Sequence, residues 1–361
     1  MASPLPPTRL GTRPAAADGG PHAPRAPSGP VPFDEAVGLF VSRTRHTRSG
    51  SAHTERAYRT DLRNFGDFLA ACGPAHVPLA FDAVTRRDAE LYLARLAAGH
   101  AARTVRRRVS CVRSFYRFLR GLELVAQNPF DALDLPDVDR KSETHKVLSD
   151  DELARAASLL SADVARADRR LATSERGRDR ARAFAALFTA TRRRVAFTLM
   201  AFAGLRRAEV LGLTHDAIVE RPDGFSLAFT GKGGKRRTVP LVGFAYPPMF
   251  DWLAVRRRVP TATPAVLVTL AGRAVVPKQL KRDCAWIGAH VGTRHPLTPH
   301  VLRRTFATRA LRASGDIRSV QVLLGHASIG TTEVYTHVDL DGLRALVEAT
   351  RLPDAPPPAA P

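Results

Sequence analysis

From Ala101 to Leu122 the chain sets Val105, Val109, Val112, Phe115 and Leu119 three and four residues apart, with Arg103, Arg106, Arg107, Arg108, Arg113, Arg117 and Arg120 between them. That spacing is an α-helix with one apolar face, because a half-buried strand would alternate instead. Such a face needs partners, and three similar stripes precede it. Phe33, Ala36, Val37 and Phe40 share one helix face. Tyr58, Leu62, Phe65 and Leu69 predict a helix over about Ser51–Cys72. A third helix starts at Thr85, an N-cap with Asp88 three residues on, and carries Leu91, Leu93 and Leu96. Residues 33–133 therefore read as a small all-helical module closed by Asn128-Pro129. The plain reading of its arginines is a solvated face. Their number favours phosphate contacts, so Arg103, Arg106, Arg107, Arg113 and Arg117 are candidate nucleic-acid contacts.

Composition points the same way. Of 361 residues, 55 are Lys or Arg and 34 are Asp or Glu, a formal charge of +21. That much self-repulsion implies a polyanionic partner, most often nucleic acid. At roughly 150 residues per domain the length suits about two domains with some surplus. The 3 cysteines (Cys72, Cys111, Cys284) are far apart and odd in number, which excludes a disulfide scaffold and a clustered zinc site. The longest apolar run, Val195 to Leu205, is short of the ~18–20 residues of a membrane span. Residues 1–32 are rich in Pro, Ala and Gly and lack the apolar run of a secretory leader. They read as a disordered tail, as do residues 353–361, and the protein as cytoplasmic.

Leu133 to Lys146 is polar, carries a Pro and has no period, so residues 134–148 are expected to be a linker. A second domain, 149–352, opens at Ser149 with Asp150, Asp151 and Glu152 in a helical first turn. Ser161–Arg194 is Ala/Arg-rich, expected to be helical, and suggests no job. Val195–Leu213 reads as a buried helix broken by Gly204. Phe225, Leu227 and Phe229 alternate, as do Val239 and Leu241, around the tip Gly231-Lys232-Gly233-Gly234-Lys235. That is a β-hairpin with a basic tip. The remainder is expected to be helical. Thr298 caps and Pro299 starts a helix that Gly315 ends. Asp316 caps the next, which stops at Gly325. Short helices are expected around Tyr335 and over Asp341–Leu352.

Several chemistries are excluded. The glycine tip is no P-loop: Arg236 follows Lys235, and strands flank it on both sides. No His-Glu-x-x-His or Cys-x-x-Cys occurs, and Asp339 and Asp341 are too few for a two-metal nuclease. What remains is a set of cationic and proton-carrying residues at element ends: Arg206 with Glu209 one turn on, Lys232, His300 with Arg303 at i, i+3, His326, and Tyr335. Each alone has an ordinary structural reading, such as a helical ion pair for Arg206–Glu209 or a core position for the tyrosine.

Together and in this order they carry more. Ala203–Leu213 (AGLRRAEVLGL), Thr230–Leu241 (TGKGGKRRTVPL), Leu297–Thr308 (LTPHVLRRTFAT) and Leu323–Val338 (LLGHASIGTTEVYTHV) resemble the tyrosine recombinases, or phage-integrase family. The resemblance covers the second domain, and the helical module resembles the family's core-binding domain less specifically. The layout is closest to Xer-like two-domain members. It implies a mainly α fold: an N-terminal helical core-binding domain, then a mixed α+β catalytic domain with a small antiparallel sheet. It implies that Arg206, Lys232, His300, Arg303, His326 and Tyr335 are catalytic, with Tyr335 the nucleophile and Glu209 supporting Arg206. Lys235 and Arg236 join the candidate DNA contacts. Arg304 stands where many members carry His. Ser161–Arg194 is longer than the family's usual connection.

The implied activity is site-specific recombination of double-stranded DNA through a 3′-phosphotyrosine, with no metal and no other cofactor. The implied working unit is a homotetramer on two paired sites, with room for a partner recombinase or accessory protein and no membrane. Leu343, Leu346 and Val347 share one face of the last helix, which is expected to dock on a neighbouring subunit rather than on its own domain. The alternatives are a nicking-closing topoisomerase, which would relax any supercoiled DNA, and a DNA-binding protein without catalysis. The six filled catalytic positions speak against the last.

Overall fold

The apolar stripes of the N-terminal part do fold as helices: α1 (Phe33–Thr47), α2 (Ala52–Ala71), α3 (Arg86–Gly99) and α4 (Ala102–Gly121). The structure is a computed structural model and describes residues 31–47, 52–72, 81–138, 146–230, 236–325 and 340–350. The chain divides into two units, 1–138 and 139–361, each with its own apolar core.

In the N-terminal unit the core is aromatic. The Phe65 ring meets Tyr92 edge-on at 5.1 Å and Phe130 at 5.5 Å, and Phe115 meets Phe33 at 5.9 Å and Phe40 at 5.6 Å. Thr85 caps α3 reciprocally: its hydroxyl accepts from the Asp88 N–H, and the Asp88 carboxylate accepts from the Thr85 N–H at 2.8 Å. The phase of α3 differs from the sequence reading. Ala89, Tyr92 and Leu96 face inward, and Leu91 is 49% exposed. Tyr92 can be buried because its hydroxyl donates to Asn64 Oδ1 at 3.0 Å.

The arginines of α4 also hold this unit together. Arg113 Nε donates to the Phe130 carbonyl at 2.7 Å, and Arg106 Nη1 to that of Pro136 at 3.1 Å. Arg107 pairs with Asp61, which is buried. Asn128 makes the closing turn: its Oδ1 accepts from the Phe130 N–H at 3.1 Å and its Nδ2 donates to the Arg113 carbonyl at 3.1 Å. Arg106 and Arg113 thus have an intramolecular reason for their positions, which a reading of α4 as a phosphate-facing helix missed. Arg103 and Arg117 are exposed.

The C-terminal unit begins with α5 (Asp150–Thr173), capped by Ser149 and Glu152. It turns at 174–177, where Gly177 takes φ +88°, into α6 (Arg178–Ala201). The stretch without an assigned role, 161–194, is therefore most of a helical hairpin, held by Ala167, Leu171, Ala183, Leu187 and Ala190. After a non-helical 202–206 comes α7 (Arg207–Gly212). The sheet is β1 (Ile218–Arg221), β2 (Gly224–Thr230) and β3 (Arg236–Val242), antiparallel in that order. Phe225, Leu227, Val239 and Leu241 bury one of its faces. β1 escaped the sequence reading because it is half-exposed to exposed throughout and does not alternate.

Next come α8 (Tyr246–Arg256) and a non-helical 257–276, where helix had been expected and Val268 bridges Ala274. Then follow α9 (Pro277–Val291), α10 (Pro299–Ser314), α11 (Ile317–Leu324) and α12 (Leu340–Ala349). Thr298 Oγ1 accepts from the Val301 N–H, and Gly315 ends α10 at φ +64°. Asp316 caps α11 and Gly325 ends it at φ +62°. These boundaries are as the sequence dictates. The helix expected around Tyr335 lies outside the described residues.

The expectation for the last helix is corrected. In α12 Leu346 and Val347 join the core of their own unit. Arg344 pairs with Asp223 at 3.4 Å, and Arg309 Nη2 donates to the Thr350 carbonyl at 3.1 Å. The side chain of Leu343 is not described. The same fold supplies an apolar surface that the sequence alone could not reveal.

Phe115→Ala should cost about 3–5 kcal/mol, against about 1 kcal/mol for Thr85→Ala, since one empties a buried ring site and the other loses a cap. Urea unfolding followed by far-ultraviolet circular dichroism measures both, and equal losses would contradict the aromatic core.

Candidate active site

Backbone reversals build the site. Gly204 stands at φ +64° between α6 and α7, and a Cβ there would lie 2.3 Å from the Phe306 ring. Glycine is therefore required for α10 to approach, and its carbonyl is left facing that helix. Arg206 N-caps α7 and Glu209 is its N3 residue. The Glu209 carboxylate accepts from the Arg206 N–H at 2.7 Å and from Arg206 Nη1 at 2.9 Å. Arg206 Nη2 donates to the Gly325 carbonyl at 2.7 Å. Because Gly325 precedes His326, Arg206 grips the peptide unit that leads into that histidine.

Arg303 reaches the same place from α10. It donates from Nη1 to the Gly204 carbonyl and from Nη2 to the Leu324 carbonyl at 2.6 Å. Its Nη1 lies 3.9 Å from Glu209 Oε2. The structure thus brings Arg206, Glu209 and Arg303 together across a sequence gap of about a hundred residues. The Arg206 side chain is 37% exposed and that of Arg303 10%. One side chain reaches solvent and the other is buried.

The charges are strongly coupled. Burial and the neighbouring Arg206 bring Arg303 down to about 10, which still leaves it cationic at neutral pH. Burial alone would raise Glu209. Hydrogen bonds from Arg237 and from the Arg206 backbone overcome that and hold it at about 2. A pair of forked cations around one carboxylate, one partly exposed and one buried, keeps a net positive charge, the arrangement that suits an anion with several oxygens. Among the described residues no group of three His, Cys, Asp or Glu side chains could hold a metal ion.

His300 is exposed on the first turn of α10, three residues before Arg303. Lys232, Lys235, His326 and Tyr335 lie outside the described residues. Arg236 opens β3, and its side chain is not described. The residue that sequence reasoning missed is Arg237. Its Nη1 and Nη2 donate to Glu209 Oε1 and Oε2, each at 2.9 Å. A signal existed. Arg237 has the same strand parity as the buried Val239 and Leu241, so a hairpin in that register turns it inward, where it needs a carboxylate.

Glu209→Gln tests this electrostatics. The folded carboxyl, at about 2, lies below the ordinary 4.5. Its contribution is therefore complete above about pH 4.5 and lost as pH falls toward 2. That difference corresponds to about 3 kcal/mol. The stability gap between parent and Glu209→Gln should be widest above pH 4.5 and close toward pH 2. Urea unfolding read by tryptophan fluorescence reports it, since Trp252 and Trp286 both belong to the C-terminal unit. A gap independent of pH would contradict the assignment.

Residues 180–341 match the Phage integrase family, and residues 38–121 its N-terminal SAM-like domain. The chain is 33% identical over 318 residues to Tyrosine recombinase XerC of Chlorobaculum tepidum, covering 85% of this chain and 91% of that one. It is 34% identical over 321 residues to Tyrosine recombinase XerC of Mycobacterium bovis, covering 88% and 96%. The fold is shared with the XerH recombinase in its post-cleavage complex with palindromic difH substrate (TM-score 0.61, 17% identity, 88% of this chain and 96% of that chain). It is also shared with a lambda integrase dimer bound to a COC′ core site (TM-score 0.57, 14% identity, 84% and 97%).

Proposed function

The chain belongs to the tyrosine recombinases of the phage integrase family, enzymes that cleave and rejoin DNA strands, and we propose that it does so through Tyr335 on double-stranded DNA without metal or other cofactor. The observation that supports this reading is the meeting of Arg206 and Arg303 around Glu209. A phosphodiester under attack gathers charge on its nonbridging oxygens, and two guanidinium forks are matched to them. An arginine so placed can be worth ~10³–10⁵ in rate in phosphoryl transfer.

The remaining roles follow from chemistry. A free phenol has a pKa of about 10 and is a poor nucleophile at neutral pH. The two arginines lower that barrier, and His300 accepts the Tyr335 proton as the oxygen attacks phosphorus. The 5′-oxygen leaves with a proton from Lys232, while His326 donates to a nonbridging oxygen. The phosphotyrosine ester keeps the energy of the broken phosphodiester, so the 5′-hydroxyl of another strand reverses the step without ATP. The proposed working unit is a homotetramer on two paired sites, acting in the cytoplasm. A partner recombinase or accessory protein is compatible with it.

Sequencing the DNA trapped covalently on the protein in its own cell would supply the target site. On a suicide duplex of that sequence Tyr335→Phe should form no adduct, and an unchanged yield would remove Tyr335 from the mechanism. Lys232→Ala should cleave slowly on ordinary DNA and near the parental rate when sulfur replaces the leaving oxygen. Equal slowing on both would refute a general-acid lysine.

A further inference from the structure

Three guanidinium groups, those of Arg206, Arg237 and Arg303, surround the one carboxylate of Glu209, which leaves the cluster with a net charge of +2. How that carboxylate is shared decides how much field reaches a bound phosphate. Glu209 Oε1 is 2.9 Å from Arg206 Nη1 and also 2.9 Å from Arg237 Nη1. With Arg237 absent, Glu209 would be left to Arg206 at 2.9 Å and to the more distant Arg303 at 3.9 Å, and would cancel more of the attraction of Arg206 for an anion. With Arg237 present, both oxygens are already engaged by a fork that sits deeper, with a side chain only 13% exposed.

Arg237 also touches the other support of Arg206. A Cβ on Gly325 would lie 2.5 Å from Arg237 Nη1 and 2.9 Å from its Cζ, so the guanidinium rests on the Gly325 backbone. The carbonyl of that glycine is the acceptor for Arg206 Nη2. On its other side Arg237 faces Phe229, its cross-strand partner, with Cζ 5.3 Å from the ring centroid. Phe229 and Arg237 stand on the two strands that lead into and out of the 231–235 tip, which carries Lys232.

We propose that Arg237 is a positioning residue for strand cleavage: it takes up the charge of Glu209 so that Arg206 stays available to the phosphate, and it ties the root of the hairpin tip to the arginine pair. This rests on the recombinase reading above. Among the described residues Arg237 meets Glu209, Phe229 and Gly325, none of which reacts. Its loss should therefore slow the chemical step and leave duplex affinity nearly intact.

The test uses the full chain with Arg237→Gln and Arg237→Lys. One readout needs no DNA. In Arg237→Gln the pH at which the stability gap to Arg237→Gln/Glu209→Gln closes should move upward from its place in the parent, because Glu209 has lost two charged hydrogen bonds. The second readout is single-turnover cleavage of the suicide duplex. Arg237→Gln should be slower by roughly 10–100-fold, with affinity within about twofold, and Arg237→Lys should recover part of the rate. Arg237→Gln/Glu209→Gln should be no slower than the slower single variant, because both act through one carboxylate. An unmoved acid limb, a parental cleavage rate, a loss confined to affinity, or losses that multiply would each overturn the proposal. If the parent itself forms no adduct on the trapped sequence, the recombinase reading fails instead, and the acid limb still decides whether Arg237 governs Glu209.

Discussion

The carboxylate of Glu209 accepts from the Arg206 N–H, from the Arg206 guanidinium and from both ends of the Arg237 guanidinium, and the elements of the C-terminal unit converge on it. Without this anion three cations would stand in mutual repulsion in a partly buried place, at a cost of several kcal/mol. With it, α7, β3 and the residue after α11 are fixed relative to one another by bonds of 2.7–2.9 Å. The anion serves the cations twice. It lets them be buried, and being single it leaves them net positive.

Much of this arrangement was legible in the sequence. The ends of α10 and α11 could be read residue by residue, because Thr298-Pro299, Gly315, Asp316 and Gly325 each satisfy an orphan backbone group in a way few other residues can. The four helical stripes of the N-terminal unit were legible for the same local reason, a period that only one structure satisfies. The pairing of Arg206 with Glu209 follows from i, i+3 spacing at a helix start. Arg303 could be nominated from its motif, but not its partners. The Gly204 and Leu324 carbonyls that hold it come from other elements, and no local pattern announces an exposed carbonyl.

The misreadings share a cause, which is that burial is decided by what lies opposite. Leu91 looked like core and is exposed, whereas Tyr92 has Asn64 beside it for its hydroxyl and goes inside. Leu346 and Val347 looked like a surface for another subunit, and their own fold covers them. The arginines of α4 invite a reading as phosphate contacts, and Arg106 and Arg113 also fasten the 128–136 segment through backbone carbonyls. In the basic run at 235–237 the eye falls on charge, whereas strand parity singles out Arg237 as the one that turns inward.

The burial of Arg303 itself bears on what the site can do. A guanidinium has five N–H donors, and Arg303 gives two of them to the Gly204 and Leu324 carbonyls, which leaves three. Those two bonds come from backbone that Gly204 and the end of α11 hold in place, so the plane of the fork is set before any ligand arrives. A lysine could not replace it, because an ammonium has no plane to fix and loses its proton more readily on burial. Even brought down to about 10, Arg303 keeps its charge at neutral pH, whereas a buried lysine in the same surroundings would not be assured of it. The choice of arginine at this position is therefore dictated by the depth of the site, and the depth by the close approach of α10 to Gly204.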